Sequence, residues 1–138
     1  MFNAEPVVSL QNAFIYQNDR IVLNDVNFTI NKGEFVFLIG RTGSGKSSLL
    51  KTLYADLWLQ QGTAKVAGYQ IETMKLSERP FLRRKIGVVF QDFQLFMDRN
   101  VNENLMWVLE ATGWTDRAKM KTRIAEVLMQ VGLASAKD

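Results

Sequence analysis

The sequence predicts an α/β fold in which an antiparallel β portion precedes a parallel-sheet core. Three observations support this prediction. Two segments near the N-terminus alternate apolar and polar residues, two later runs at 35–39 and 86–90 are apolar throughout, and helical periodicities follow each run. Alternation with a period of two is typical of a sheet with one solvated face, whereas an unbroken apolar run is typical of a strand buried on both faces.

The alternating segments, residues 7–16 and 21–30, are predicted to form two strands joined by a polar turn at 17–20. The tripeptide that follows them, residues 31–33, also has the composition of a turn, because it combines asparagine with glycine. Two shorter strands are expected further along the chain, at residues 63–67 and 69–71.

Three helices are predicted, over residues 44–57, 101–112 and 117–131, because leucine and other apolar residues recur there at spacings of three and four. The second helix has Asn100 at its N-cap position, Glu103 three residues later and Gly113 just past its end. The third helix is closed by a glycine and has one apolar face, formed by Met120, Ile124, Val127, Leu128 and Val131.

The composition excludes several kinds of functional site. The formal net charge is +3, and neither cysteine nor histidine occurs, so disulfides, thiolate sites and histidine bases are excluded. Basic residues cluster at 79–85 and 117–123. We interpret both runs as solvated faces, with an anionic partner such as a membrane surface as the alternative. Neither a signal peptide nor a membrane-spanning apolar run is recognised, so a soluble, cytoplasmic chain is expected.

Residues 40–47 match the phosphate-loop pattern G-x-x-x-x-G-K-[ST], between an apolar run and a leucine-rich helix. The glycines allow backbone conformations that point N–H groups inward as an anion nest, and the helix N-terminus adds positive potential. The lysine supplies a charge for the β- and γ-phosphates, and the next serine supplies a hydroxyl for Mg²⁺. The pattern predicts a nucleotide site rather than a glycine-rich turn with an exposed lysine. Its members are Gly40, Arg41, Thr42, Gly43, Ser44, Gly45, Lys46 and Ser47.

A phosphate loop alone leaves kinases, GTPases, helicases and transport ATPases open. Tyr16 in the stretch FIYQNDRIVLNDV and Gln91 in IGVVFQDFQLF narrow the class. With these features the sequence resembles the N-terminal part of an ABC-type ATPase domain, a P-loop NTPase. The resemblance implies ATP and Mg²⁺ as cofactors, Tyr16 stacked on adenine beside Val22, and Gln91 near Mg²⁺ and the attacking water. Lys46 and Gln91 then take the catalytic positions, and Ser48 stands in the cofactor site where relatives usually carry threonine.

The run GVVFQDFQLFMDRNVNENLMWVLEATG, residues 87–113, resembles the FtsE-type subgroup that acts in cell division. This resemblance implies an FtsX-like membrane permease as partner, a homodimer around sandwiched ATP, and a position on the inner face of the plasma membrane. Lipoprotein-releasing and macrolide-export ATPases share parts of the run and remain alternatives. A cytoplasmic helix of the membrane subunit is expected to dock on apolar residues here, namely Phe93, Leu95, Phe96, Met97, Met106 and Trp107.

The 138 residues contain no LSGGQ-type signature, no apolar strand ending in a catalytic Asp-Glu pair and no switch histidine. We therefore interpret the sequence as a fragment that binds ATP without hydrolysing it. Residues 1–99 would hold the antiparallel subdomain and phosphate-loop core, and residues 100–138 would begin the helical subdomain. A non-hydrolysing regulator is one alternative, and a P-loop kinase is another. The predicted strand at 35–39 would have a bare edge, so two copies are expected to pair or swap strands.

Overall fold

The computed structural model describes residues 6–136. Contacts divide the chain into two compact units, one up to Gly87 and the other from Val88 onward. The sheet and the phosphate loop belong to the first unit, and two long helices belong to the second.

The first unit is built on a four-stranded antiparallel sheet. The predicted hairpin is confirmed, with a turn at Asn18 and Asp19, which both have positive φ. The two shorter strands are also found, each within two residues of its predicted bounds. The four strands are β1 (Pro6–Gln17), β2 (Arg20–Asn31), β3 (Gln61–Val66) and β4 (Tyr69–Gln70). Their order across the sheet is β2-β1-β3-β4.

A bulge in β1 bends the hairpin. The register with β2 shifts between Leu10 and Ala13, and Asn12 has a φ of 47°. Gly62 of β3 lies so close that an added Cβ would stand 2.2 Å from the carbonyl oxygen of Asn12, so only glycine fits there. The Asn12 amide side chain donates to Asp25, whose pKa is lowered by hydrogen bonds from Asn27 and Asn12. These side chains give the bulge a defined shape.

Helix α1 (Lys46–Leu53) begins two residues later and ends four residues earlier than predicted. Gly45 is its N-cap in the left-handed conformation, and Ala55, two residues after its end, has a φ of 56°. Its buried face packs with the sheet and helix α2 (Arg79–Arg83) around one core, and an exposed 3₁₀ turn at Leu76–Glu78 precedes α2. The largest fully buried side chains of this core are Leu10, Ile15, Thr52, Leu59, Ile71 and Leu82.

The predicted strands at 35–39 and 86–90 are not found. Neither run pairs with another strand of the described residues, and both lack regular secondary structure. Phe35 is 84% exposed and Ile39 is 87% exposed. A strand needs a hydrogen-bonded neighbour, and none of residues 6–136 supplies one. The run at 35–39 is exposed and unpaired in this structure, so the prediction of a buried strand with one bare edge is wrong for the described residues.

The second unit contains α3 (Val101–Ala111) and α4 (Arg117–Gln130). The predicted N-cap is confirmed: the Glu103 amide donates to the Asn100 side chain at 2.9 Å, and the Asn100 amide donates back to the Glu103 carboxylate at 3.0 Å. The apolar face of α4 is confirmed at Met120, Ile124 and Leu128, which are buried, but the prediction is wrong for Val131, which is exposed. Among the described helices, none combines the length and hydropathy needed to cross a membrane.

Candidate nucleotide-binding site

The glycine-rich loop is anchored to the hairpin at Gly45. This residue has a φ of 94° and is buried. A Cβ built on it would lie 2.9 Å from side-chain carbons of Val22 and Leu23 in β2. Both the left-handed backbone and the close approach therefore require glycine, and the start of α1 is held directly against the second strand.

The rest of the loop is a turn that lies open to solvent. The Ser44 amide donates to the Arg41 carbonyl at 3.1 Å, and Gly43 has a φ of 78° with no atom within 4 Å of an added Cβ. At Gly40, an added Cβ would stand 2.6 Å from the Ser44 hydroxyl oxygen. The positive φ therefore favours glycine at Gly43, whereas at Gly40 a Cβ would only require the Ser44 side chain to rotate.

The Lys46 side chain forms hydrogen bonds to the backbone of its own loop. Its ammonium donates to the carbonyl oxygens of Gly40 and Arg41, each at 2.8 Å. An ammonium has three donor hydrogens, so these two bonds leave one for another acceptor. The positive charge is therefore fixed over the loop, although no carboxylate takes part in holding it.

The N-terminus of α1 is suited to binding an anion. No side chain caps it, and its first turn has no acidic residue. The first N–H groups of a helix have no partner within the helix, and the helix dipole places about half a positive charge there. Ser47 lies in this turn and is exposed, so its hydroxyl is accessible to a ligand or a metal ion.

An open pocket of about 200 Å³ lies between this loop and the hairpin. It joins loop residues to Val22 from β2 and to Gln17 at the end of β1, a residue that the sequence analysis does not name. The only sequence signal for Gln17 is its position next to Tyr16 and just before the hairpin turn. The residues that line the pocket are Gln17, Val22, Gly43, Gly45, Lys46, Ser47 and Ser48.

The other candidate residues stand apart from this pocket. Tyr16 is partly buried in β1, paired with Ile21, and does not line the pocket. Gly40, Arg41, Thr42 and Ser44 form the exposed outer part of the loop. Gln91 belongs to the second unit, where it lies in an exposed turn. Its proposed role therefore depends on the family resemblance alone.

The residues present fit a magnesium nucleotide. Within residues 6–136 no three aspartate, glutamate, histidine or cysteine side chains come together as a metal cage. Mg²⁺ in nucleotide sites is commonly held by one or two protein groups together with phosphate oxygens, and the Ser47 hydroxyl provides such a group. The left-handed Gly45, the uncapped helix and the fixed ammonium together define the class of P-loop nucleotide-binding proteins.

Comparison with known proteins narrows this class. A family profile described as ABC transporter matches residues 23–138, which is most of the chain. The chain belongs to this family, as the resemblance predicts.

Curated relatives include the cell division ATP-binding protein FtsE of Streptococcus pneumoniae strain D39, 37% identical over 118 residues, and that of Bacillus subtilis, 41% identical over 118 residues. Each alignment covers 86% of this chain and 51% of the relative. The methionine import ATP-binding protein MetN 2 of Salmonella choleraesuis is 39% identical over 112 residues, which is 81% of this chain and 33% of that protein. The chain thus spans about half the length, or less, of these relatives.

Solved structures that are similar to this chain belong to the same family. The ATP-binding cassette MJ0796, a dimer in a post-hydrolysis state bound to ADP and Pi, superposes with a TM-score of 0.77 and 30% sequence identity. The match covers 91% of this chain and 57% of that one. A second dimeric structure of the same bacterial cassette also has a TM-score of 0.77, with 29% identity. The predicted class, a partial ABC ATPase fold, is therefore confirmed.

Proposed function

We propose that this chain is the ATP-binding portion of an FtsE-like ATPase, which couples MgATP binding and hydrolysis to a membrane partner in cell division. The position of Lys46 is the observation that carries the nucleotide-binding part of the proposal, and the cell-division part rests on the FtsE relatives. The Lys46 ammonium is held over a glycine loop at an uncapped helix N-terminus, where a triphosphate would exchange the two carbonyl contacts for phosphate oxygens.

The remaining roles follow from the pocket and the family. Backbone N–H groups of the loop would receive the phosphates, and the Ser47 hydroxyl would hold Mg²⁺, which neutralises charge on the phosphates when bound. Val22 provides apolar contact for the nucleoside, because it packs against the loop at Gly45. Tyr16 as the adenine-stacking residue and Gln91 as the group near Mg²⁺ and the attacking water are proposed from the family alone.

Calorimetric titration of the purified chain with MgATP tests the site. We expect magnesium-dependent binding that Lys46→Ala weakens roughly tenfold to a hundredfold, because hydrogen bonds from a charged group contribute about 1.5–3 kcal/mol. Lys51→Ala removes the same charge from the exposed far end of α1, and we expect affinity within twofold of the unchanged chain. Equal loss in the two variants, or no magnesium-dependent binding at all, contradicts the proposal.

Turnover is proposed to need groups beyond these 138 residues. Phosphoryl-transfer enzymes position and activate the attacking water with a dedicated residue, and the family's signature, acidic strand end and histidine do not occur in the sequence. We expect binding without steady phosphate release from the purified chain. Phosphate release that Lys46→Ala abolishes would contradict this expectation.

The second unit is proposed to receive the membrane partner, an FtsX-like permease. Phe96 and Trp107 pack edge to face with centroids 5.0 Å apart, and the guanidinium of Arg99 lies 4.4 Å from the centre of the Phe96 ring. The Asn104 side chain holds this segment by accepting from the Phe96 amide and donating to the Phe96 carbonyl. An apolar helix would find a preformed aromatic surface there. If Phe96→Ala leaves partner binding unchanged, this surface is not the docking site.

Methionine import is a second candidate, because the methionine import protein MetN 2 is about as similar to this chain as the cell-division relatives are. Co-purification with a cell-division permease or with a methionine permease separates the two. In either case we propose a cytoplasmic protein on the inner face of the plasma membrane that forms an ATP-sandwich homodimer when complete. For the 138 residues alone we propose pairing between copies through the exposed run 35–39, which sedimentation velocity would detect.

A further inference from the structure

The end of the β1–β2 hairpin forms one wall of the pocket at the phosphate loop. Val22 is an extra residue of β2, because its two neighbours in β2 pair with consecutive residues of β1. Such bulges commonly redirect a side chain next to a functional site, and the Val22 side chain here packs against the loop at Gly45. The end of the hairpin is therefore held in a defined position beside the loop.

Gln17 is the side chain that β1 contributes to this wall. It pairs with Arg20 immediately before the two-residue turn, so its backbone belongs to the sheet. Tyr16, the residue before it, does not line the pocket. The Gln17 side chain is exposed, and within residues 6–136 its amide has no hydrogen-bond partner. An amide with open donors and acceptor thus stands at the pocket.

The size of the pocket indicates which part of a nucleotide reaches Gln17. The volume of about 200 Å³ lies below the range of about 300–1,000 Å³ that is typical of pockets enclosing a whole small ligand. Under the proposed function, the phosphates lie on the loop side, where Lys46 and Ser47 line the pocket. The ribose follows the phosphates in a nucleotide, so the hairpin wall meets the sugar before it meets the base.

We propose that Gln17 recognises the sugar of the bound nucleotide through a hydrogen bond between its side-chain amide and a ribose hydroxyl, an inference that rests on the proposed nucleotide-binding function. The amide has N–H donors and a carbonyl acceptor, and a hydroxyl both donates and accepts, so the two groups match in either orientation. Val22 provides the apolar contact beside this bond. Gln17 is thus a specificity residue that favours ribonucleotides over deoxyribonucleotides.

Calorimetric titration with the magnesium complexes of ATP, 2′-deoxy-ATP and 3′-deoxy-ATP tests the proposal. We expect ATP to bind roughly twofold to tenfold more tightly than the analogue that lacks the contacted hydroxyl, which is the range for one neutral hydrogen bond. Gln17→Ala should lower the affinity for ATP by a similar factor. It should cause no further loss with that analogue, because the same bond is already missing.

Gln11→Ala is the matched control for this variant. It removes the same side chain from an exposed position of β1 that does not line the pocket. We expect this variant to distinguish ATP from the deoxy analogue as the unchanged chain does. Circular dichroism melts confirm that each variant is folded.

Magnesium tripolyphosphate separates this inference from the proposed function, because it offers the phosphates without the sugar. We expect Gln17→Ala to bind it as tightly as the unchanged chain does, and Lys46→Ala to bind it weakly. The inference alone is overturned if MgATP binding requires Lys46 but the unchanged chain binds both deoxy analogues as tightly as ATP. It is also overturned if Gln17→Ala weakens tripolyphosphate binding or still distinguishes the sugars. Absence of any magnesium-dependent binding overturns the proposed function as well.

Discussion

The β1–β2 hairpin and the run at 35–39 have similar compositions, but the hairpin forms strands and the run does not. Both are rich in phenylalanine, isoleucine and valine, yet Leu10 and Ile15 of the hairpin are buried while Phe35 and Phe37 are exposed. These two rings contact each other edge to face, with centroids 5.0 Å apart. The hairpin carries its own partner strand across a two-residue turn, whereas the run has no neighbour among the described residues. Strand formation here depends on the partner rather than on composition.

The hairpin, and not the run at 35–39, also holds the phosphate loop in position. In the described structure the loop is fixed from its far side, where Gly45 contacts Val22 and Leu23, and not through the apolar run that leads into it. The hairpin therefore determines where α1 begins and where its N-terminus points.

The largest effect on stability is expected at Gly62, which lies against the backbone of β1. Gly62→Ala places a methyl group 2.2 Å from the backbone oxygen of Asn12 at a φ of 88°, so the free energy of unfolding should fall by about 3 kcal/mol or more. Gly68→Ala is the matched control: its φ of 89° is equally unfavourable but nothing lies within 4 Å, and about 1–2 kcal/mol is expected. Urea denaturation measures both, and similar losses would show that backbone conformation alone matters.

A direct test of the comparison removes an apolar side chain from each region. Leu10→Ala should cost about 3 kcal/mol because Leu10 is 1% exposed in the core, and Phe37→Ala should change the free energy of unfolding by less than about 0.5 kcal/mol. Urea denaturation at low protein concentration measures both. If Phe37→Ala is as destabilising as Leu10→Ala, the run is buried in solution, and sedimentation shows whether a second copy covers it.

The smallest effect concerns the turn that joins the two regions. The Glu34 carboxylate accepts hydrogen bonds from the Asn31 backbone and side-chain amides at 2.7 and 3.0 Å, and these bonds hold its pKa below the ordinary value of 4.5. The pKa is lower in the folded state, so this stabilisation is present above about pH 4.5 and is lost as the pH falls through the folded pKa.

Glu34→Gln should therefore lower the melting temperature slightly at neutral pH and leave it nearly unchanged in acid. Melting temperatures followed from neutral pH to pH 3 measure the difference. Asp19→Asn, at the exposed hairpin turn, removes the same charge and serves as the control. A difference that grows in acid would contradict the assigned hydrogen bonds.

Local chemistry explains what the sequence could predict. The polar hairpin turn, the Asn100–Glu103 cap and the α4 face at Met120, Ile124 and Leu128 each depend on residues within a few positions of one another, and each is found. Gln17 and the Gly45 contact depend on how β1 and β2 approach the loop, which no local pattern encodes. The apolar runs predict burial but cannot say what would bury them.

The bonds from Lys46 to its own loop have a consequence for ligand choice. Because Gly40 and Arg41 already satisfy two of its hydrogens, a free orthophosphate gains little by displacing them. A longer molecule that also reaches Val22 and Gln17 adds contacts that no competing carbonyl offers. Under the proposed function, we therefore expect the resting loop to bind orthophosphate more weakly than a nucleotide.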